Sequence, residues 1–412
     1  MKKLATLILL AGSLAACTTT GPQVTDRRAP QSIELPPMKT FAGYKPGPVR
    51  ESNRQIAVDF LELSFQMESG RELERFTRFE GPIRVATVGQ APTTLNRDLD
   101  ELIKRLRREA GLDIKRAENP GNANIVVEAL PQRDLQRYVP QAACFVVPNA
   151  SSWNEFLRKR RSKDLDWTRL QVRTRAAIFI PNNVSPQEVR DCLHEEIAQA
   201  LGPLNDLYRL QNSVFNDDNF HAVLTSYDML LLRVTYDPVL QNGMSREEVA
   251  TRLPSILARL NPRGISGPAA EDPKPNREWI KSIERALGPG TGPRRRQTSA
   301  IQALKIAQAV GFPDGRLPFS FYALGRLSLG ADADLSLASF LQAGGIYQSM
   351  PGSDLQQAHV AMQITAFALT TGQGQTALSL VESALPAVRQ SENAALLATL
   401  LMMKAEALEL MG

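Results

Sequence analysis

The chain has 412 residues, which is long enough for two or three domains with separate hydrophobic cores. Its formal net charge is only +5, and it contains three cysteines and three histidines. The mild charge gives little support for nucleic-acid binding, and three histidines leave few ligands for a histidine-based metal centre.

Residues 1–16 have the features of a secretory signal peptide, because two lysines precede an apolar run and small residues follow it. The run is too short to span a membrane as a helix. The sequence Leu14-Ala15-Ala16-Cys17 resembles the bacterial lipobox, in which a peptidase cuts before the cysteine and the new N-terminal cysteine receives acyl chains. We therefore expect lipidation at Cys17, where each buried methylene contributes about 0.8 kcal/mol to membrane anchoring.

Residues 17–50 are rich in Thr, Pro and Gly and lack apolar periodicity, as is typical of a flexible tether. Thr18, in place of an aspartate after the cysteine, resembles lipoproteins that are sent to the outer membrane. We expect an outer-membrane lipoprotein that faces the periplasm of a Gram-negative bacterium, where nucleic acid is not a partner. Removal of Lys2 and Lys3 with the signal peptide lowers the net charge from +5 to +3.

Two cysteines, Cys144 and Cys192, remain after lipidation of the first. An even remainder in an oxidising compartment favours a disulfide over two buried free thiols. The bond would tie the start of a central helix to the segment before residue 150.

Residues 51–260 are predicted to form an α+β domain with a mixed sheet, because helical and strand patterns alternate along them. Apolar spacing and capping residues predict helices at 56–67, 186–201, 227–234 and 246–260. A further helix is predicted to begin after Asn96, its cap, and to end at Gly111. Short apolar runs predict strands at 75–79, 83–88, 112–116, 124–130 and 175–180. Residues 131–170 show no regular pattern.

Residues 261–276 have the Pro and Gly content of a linker, and residues 277–412 are rich in Ala and Leu. The second region is predicted to contain helices at 278–287, 297–310, 319–329, 335–347, 355–370, 376–389 and 394–411. The spacing from Gly372 to Ala377 and Ala384 resembles the tetratricopeptide repeat, although the period is irregular. A helical-hairpin repeat array is favoured, and an unrelated helical bundle is the alternative.

The helix at 186–201 is the centre of the predicted site. Val189, Leu193, Ile197 and Leu201 repeat every four residues and form a buried stripe, while Ser185 caps the helix. Glu195 and Gln199 are also four residues apart, and helical geometry places them together on another side.

The end of this helix resembles the extended zincin pattern His-Glu-x-x-His-x-x-Gly-x-x-His/Asp when it is aligned on Gly202. The general-base glutamate matches Glu196. The three ligand positions hold Glu195, Gln199 and Asn205 instead of histidine or aspartate. The resemblance implies a degenerate zincin-like fold of the metzincin type.

Other parts of the chain add to this resemblance. Met229 is a weak counterpart of the methionine that follows the metzincin helix. Residues 69–71, 78–84, 192–206 and 226–229 resemble an uncharacterised proteobacterial lipoprotein family, domain-of-unknown-function 2927. That family brings no established activity to the chain.

The candidate site therefore offers oxygen ligands: Glu195, Gln199, Asn205 and Asp206 suit calcium or manganese better than zinc. Glu196 is the candidate catalytic base. The residue four positions after His194 is an alanine, so we interpret His194 as a histidine that lies at the surface or that contacts the ligand residues without binding an ion. A polar network without chemistry, a retained binding cleft and a divalent-cation site all stay open, and no other cofactor is expected.

The loss of the ligands together with the array favours a non-enzymatic binding or assembly factor whose partner is an envelope protein or peptide. A metal-dependent, peptidase-like hydrolase with Glu196 as base is the alternative. A second alternative is a cell-wall binding module that uses the basic runs at 158–163 and 294–296.

Overall fold

The computed structural model describes residues 47–140, 142–266 and 276–412, which form one compact unit. The signal peptide, Cys17 and most of the predicted tether and linker lie outside these residues. Within the described part of the chain, no helix is long and apolar enough to cross a membrane.

A five-stranded mixed sheet forms the centre of the α+β part, with strand order β2-β1-β3-β5-β4. The strands are β1 (Ile83–Gly89), β2 (Ile114–Arg116), β3 (Ile125–Leu130), β4 (Phe145–Pro148) and β5 (Ala176–Pro181). Only β4 runs antiparallel, and it pairs with β5 at the sheet edge. Both faces of β5 are buried, which explains its continuous apolar sequence.

Helices cover the sheet: α1 (Asn53–Phe65), α2 (Thr93–Glu109), α5 (Pro186–Leu201), α6 (Ser226–Thr235) and α7 (Arg246–Leu260). Their apolar stripes share one core with the inner sheet face. Two short helices, α3 (Gln132–Gln136) and α4 (Trp153–Lys159), cover the other face with the aromatic rings of Trp153, Phe156 and Phe179. The predicted α+β class with a mixed sheet is confirmed.

Three local predictions were wrong. Residues 75–79 form no strand, because their backbone bonds to the turn before α7 instead of to the sheet. Asn96 does not cap α2, because the helix begins at Thr93 and Asn96 lies within it. The Asn96 side-chain oxygen instead accepts hydrogen bonds from Thr87 and Arg116. The region 131–170, which showed no regular pattern, contains β4 and two short helices. They were not predicted because their apolar runs are too brief to show a period.

The C-terminal part is a helical array, as predicted. Its members are α8 (Arg277–Leu287), α9 (Pro293–Val310), α10 (Arg316–Ser328), α11 (Ala333–Gln348), α12 (Asp354–Thr370), α13 (Gly374–Gln390) and α14 (Ala394–Glu409). Consecutive helices pack side by side around a core of small and aromatic residues. At Gly325 a β-carbon would lie 2.8 Å from the Phe340 ring, so glycine allows α10 and α11 to approach.

The segment that follows α5 joins the two parts of the molecule. The Tyr208 ring contacts Trp279 of α8 edge to face, with ring centroids 5.0 Å apart. Phe220 lies inside the array, where its ring meets Tyr322 at 5.2 Å and His359 at 4.8 Å. The segment from α5 to α6 therefore contributes to the core of the array as well as to that of the α+β part.

The predicted disulfide between Cys144 and Cys192 is confirmed. It links the segment before β4 to the second turn of α5, across a sequence separation of 48 residues. Cys192 is almost completely buried in the main core. The bond thus holds the edge of the sheet against the central helix.

We predict that reduction of this bond lowers the free energy of unfolding by about 3 to 4 kcal/mol, because a closed loop of this length restricts the unfolded chain. Urea unfolding with and without dithiothreitol measures the change. The Cys144→Ser/Cys192→Ser variant is the control, since its stability should resemble that of the reduced protein and should not respond to reductant. Equal midpoints for the oxidised and reduced protein would contradict the prediction.

Candidate functional site

The second half of α5 is enclosed by the protein. Every residue from Cys192 to Asn205 is buried except Glu195, which is half-buried. The predicted apolar stripe of α5 is confirmed, since its four members are at most 1% exposed. Ser185 accepts a hydrogen bond from the Glu188 amide and caps the helix as expected.

A buried guanidinium donates hydrogen bonds to the carbonyls at the end of this helix. Arg173 is 2% exposed and donates to the carbonyls of Gln199, Ala200 and Gly202 at 2.6 to 3.0 Å. These carbonyls have no partner within the helix, and the negative end of the helix dipole favours a cation there. Burial lowers the pKa of Arg173 to about 10, so the group stays charged at neutral pH.

Arg78 and residues at the end of α6 lie around the same helix end. The Tyr236 hydroxyl donates to the Leu201 carbonyl at 2.9 Å, and Arg78 binds the carbonyls of Thr235 and Asp237 at 3.0 Å. A β-carbon at Gly202 would lie 2.8 Å from the Thr235 methyl. The glycine that aligned with the zincin pattern is therefore required for the contact between α5 and α6.

The candidate base, Glu196, is 4% exposed, and its Oε2 has no hydrogen-bond partner among the described residues. Burial, together with Glu195 and Glu68, raises the pKa of Glu196 well above its usual range. Burial, Asp217 and Glu68 raise the pKa of Glu195 to about 8. Burial and neighbouring acids likewise raise the pKa of Asp206. At neutral pH this group of carboxyls is mainly protonated.

The two amide residues of the candidate site make structural contacts. Gln199 Nε2 donates to Asp206 Oδ2 at 3.3 Å, which ties α5 to the segment that follows it. Asn205 Nδ2 donates to the Glu62 carbonyl at 3.2 Å, and the adjacent Leu204 amide bonds to the Leu63 carbonyl. These contacts form the kind of polar network that the sequence left as one of its alternatives.

His194 is 2% exposed and points away from the carboxyls. Its Nδ1 accepts a hydrogen bond from the Leu224 amide at 3.1 Å, which leaves the proton on Nε2. Burial, Arg190 and Arg105 lower the pKa of His194 well below its usual range. The residue is therefore a neutral, interior histidine and does not lie at the surface.

The described residues contain no group of three or more His, Cys, Asp and Glu side chains that could hold a metal ion. Met229, the counterpart of the metzincin methionine, lies within α6 in the core instead of in a turn. Glu195, Glu196, Gln199 and Asp206 do approach one another. Their environment favours protonated carboxyls over a fixed anionic ligand set.

An open cavity of about 630 Å³ lies between the α+β part and the array. The segment before α1, the loop at Arg209 and the first turn of α6 line one side. The loops before α10 and α12 and the end of α13 line the other side. Arg209 is held there by Asp59 and Glu62, with N–O distances of 2.6 Å.

A second cavity of about 470 Å³ runs along α11, α12 and α13. Asp354, Ala387 and Gln390 line both cavities, so the two form one continuous groove. None of the sequence-predicted site residues lines it. Sequence reasoning missed the groove because its lining comes from seven separated segments, although the small residues of the array gave a partial signal.

The basic runs lie elsewhere. Residues 158–163 include the last two residues of α4 and the turn after it, and Lys159 pairs with Glu155 at 3.0 Å. Residues 294–296 begin α9, where Arg296 donates to the carbonyls that end α8. Both runs thus include residues that form ion pairs or hydrogen bonds with neighbouring groups of the same chain.

These features define an α+β domain that is followed by a helical array. The family model described as "Protein of unknown function (DUF2927)" matches residues 53–255, from the start of α1 into α7. The match covers most of the α+β part and supports an uncharacterised domain there, and the array lies beyond it. Searches of curated proteins and of solved structures found no significant match.

We predict that Glu195→Gln stabilises the protein in a pH-dependent way. The native carboxyl stays protonated to about pH 8, whereas the unfolded chain loses this proton near its ordinary pKa of 4.5. The native state therefore binds more protons between these values, and its stability falls as pH rises across that window. Glutamine does not titrate and removes this loss.

The stability gain from Glu195→Gln should be near zero at pH 4.5 and on the order of 2 kcal/mol at pH 8.5, less than the full shift because the side chain is partly solvated. Urea unfolding at both pH values gives the difference. Glu118→Gln, which changes an exposed carboxyl, is the control. A gain at pH 4.5 that equals the gain at pH 8.5 would show that the carboxyl is not protonated in the native state.

Proposed function

We propose that this chain is a non-enzymatic binding protein of the bacterial envelope, whose groove holds an extended segment of a protein or peptide. The observation that carries the proposal is the continuity of the groove from the α+β part onto α11, α12 and α13. A site that both parts of the chain build together explains why a family domain and a helical array share one compact unit.

The chemistry of the groove supports a peptide ligand. Along the array its lining includes small residues that allow a main chain to approach: Gly344, Ala358, Ala361, Ala384 and Ala387. Side-chain amides of Gln348 and Gln390 lie beside them and match the donors and acceptors of an extended backbone. Helical repeat arrays present long surfaces that suit such ligands.

The other end of the groove is charged. Arg50 and Arg209 lie among Glu51, Asp59 and Asp354. Arg209 is held by two acids, so it presents a fixed and nearly neutralised surface. This mixture favours a ligand with polar side chains of both signs over a strongly anionic or cationic polymer.

A degenerate zincin-like relationship, in which α5 is kept as a structural helix, completes the proposal. It is supported by the four-residue spacing of Glu195 and Gln199, by Glu196 and by Gly202. A hydrolase is not favoured, because substrate cannot reach a carboxyl that is 4% exposed. A protonated Glu196 also cannot accept a proton at neutral pH.

Anchoring at the outer membrane through lipid on Cys17 is part of the same proposal, as is a proteobacterial origin. Its support is the sequence Leu-Ala-Ala-Cys and the Thr/Pro/Gly-rich segment that follows. Gly47, Pro48 and Arg50, which are among the first described residues, line the groove. The lipid would therefore hold the groove within reach of other membrane-bound proteins.

We predict that a photo-crosslinking amino acid at Ser383 captures an envelope protein in living cells. Ser383 is an exposed residue of α13 that lines the groove. The matched control places the same amino acid at Ala338, an exposed position of α11 that lines neither cavity. We expect adducts from position 383 that are absent from position 338. Mass spectrometry identifies the captured protein.

A second set of variants tests the proposal by filling the groove. Ala387→Trp places a large side chain where the two cavities meet, and it should reduce the adduct formed from position 383 at least roughly tenfold. Ala338→Trp should leave the adduct unchanged. Equal adducts from positions 383 and 338 would contradict the groove proposal. Cell-wall fragments as the main adduct would favour the cell-wall binding alternative instead.

A further inference from the structure

Helix α14 has two apolar faces. One packs against α12 and α13, where Leu396, Leu397 and Leu400 are almost completely buried. The other face is open to solvent, and Leu401, Met402 and Leu408 are 42%, 67% and 47% exposed. Leu410 and Met411, which follow the helix, are each 48% exposed, so large exposed apolar side chains concentrate in residues 401–411.

The exposed face has the spacing of a coiled-coil seam. Ala398, Leu401, Ala405 and Leu408 are separated by three, four and three residues, and all four are exposed. Residues at this spacing lie on one stripe of a helix and fit a partner helix with the same stripe. Alternation of alanine and leucine also lets each large side chain pack opposite a small one.

We propose that α14 pairs with α14 of a second copy of this chain, as a parallel two-stranded coiled coil. The seam is self-complementary, as a two-fold interface requires. Its flanks also match. Lys404 lies on one side of the seam and Glu409 on the other, which are the g and e positions when Ala398 and Ala405 occupy a positions.

The charges select the parallel arrangement. In a parallel pair, a g residue lies opposite the e residue five positions later in the partner helix. Lys404 of each copy therefore meets Glu409 of the other copy. Lys404 also bonds Glu382 of its own chain at 3.0 Å, which holds its side chain at the edge of the seam. An antiparallel pair would match g residues with g residues and e residues with e residues, so Lys404 would not meet Glu409.

The interface is small. A seam of about two heptads covers less than the roughly 1,600 Å² of a standard stable interface. The dimer should therefore form and dissociate with concentration instead of being permanent. This proposal does not depend on the groove, because no residue of the seam lines it.

Disulfide crosslinking in the membrane fraction of cells that express the full chain tests the pairing directly. Ala405→Cys adds a thiol at an a position, where two copies of a parallel coil bring equivalent residues together. Oxidation should yield a dimer on a non-reducing gel. Glu406→Cys, one residue further along the helix and facing away from the seam, should yield at least about fivefold less. The parent chain shows any band that arises from its own cysteines.

Charge reversal identifies the mode of pairing. Lys404→Glu in the Ala405→Cys background should reduce the dimer about fivefold, and addition of Glu409→Lys should restore it. Leu408→Glu should reduce it roughly tenfold or more, and circular dichroism checks that this exposed substitution leaves the fold intact. Equal crosslinking at positions 405 and 406, or a dimer unaffected by Leu408→Glu, would overturn the proposal.

Discussion

The fold depends on the burial of the second half of α5. A helix that ends inside a protein must have its terminal carbonyls satisfied by other groups, and here Arg173, Tyr236 and the Gly202 turn meet that requirement. Arg173 in turn needs these carbonyls, because a buried guanidinium without acceptors is costly. The guanidinium lies 4.8 Å from the Trp167 ring centroid, so a segment outside the sheet is held by the same contact.

The organisation of the whole molecule follows from this helix. The disulfide at its second turn fixes the edge of the sheet, and Arg190, in its first half, pairs with Glu392 in the loop between α13 and α14. The segment after Gly202 then carries Tyr208 and Phe220 into the array. Because α5 and the segment after it are joined to both parts, the groove between them has walls of fixed relative position.

Sequence patterns predicted the elements that carry strong local signals. The bounds of α5 and α7 are those expected from Ser185, Pro186, Ser245 and Glu248, because capping groups act within one helical turn. The disulfide followed from counting cysteines. Strand β4 escaped prediction because four residues at a sheet edge are specified by their partner strand and not by their own spacing.

The candidate site was harder to predict because sequence spacing gives the side of a helix but not what covers it. Glu195 and Gln199 do lie on one side of α5, yet Glu196 proved to be buried inside the protein. The residues that hold this region, Arg78, Arg173 and Tyr236, are distant in sequence and carry no spacing signal. The seam of α14 was visible in the sequence, but only burial shows which of its two apolar faces is open.

We conclude that the second half of α5 is a structural helix that is buried from solvent and does not form the wall of an active site. Hydrogen–deuterium exchange of the full chain, followed by mass spectrometry, tests it most directly. Amides from Cys192 to Leu201 should exchange only through global unfolding, as slowly as those of β3 and β5. Exchange of these amides within minutes, at the rate of the exposed loop after α4, would mean that the helix opens to solvent and would contradict the account.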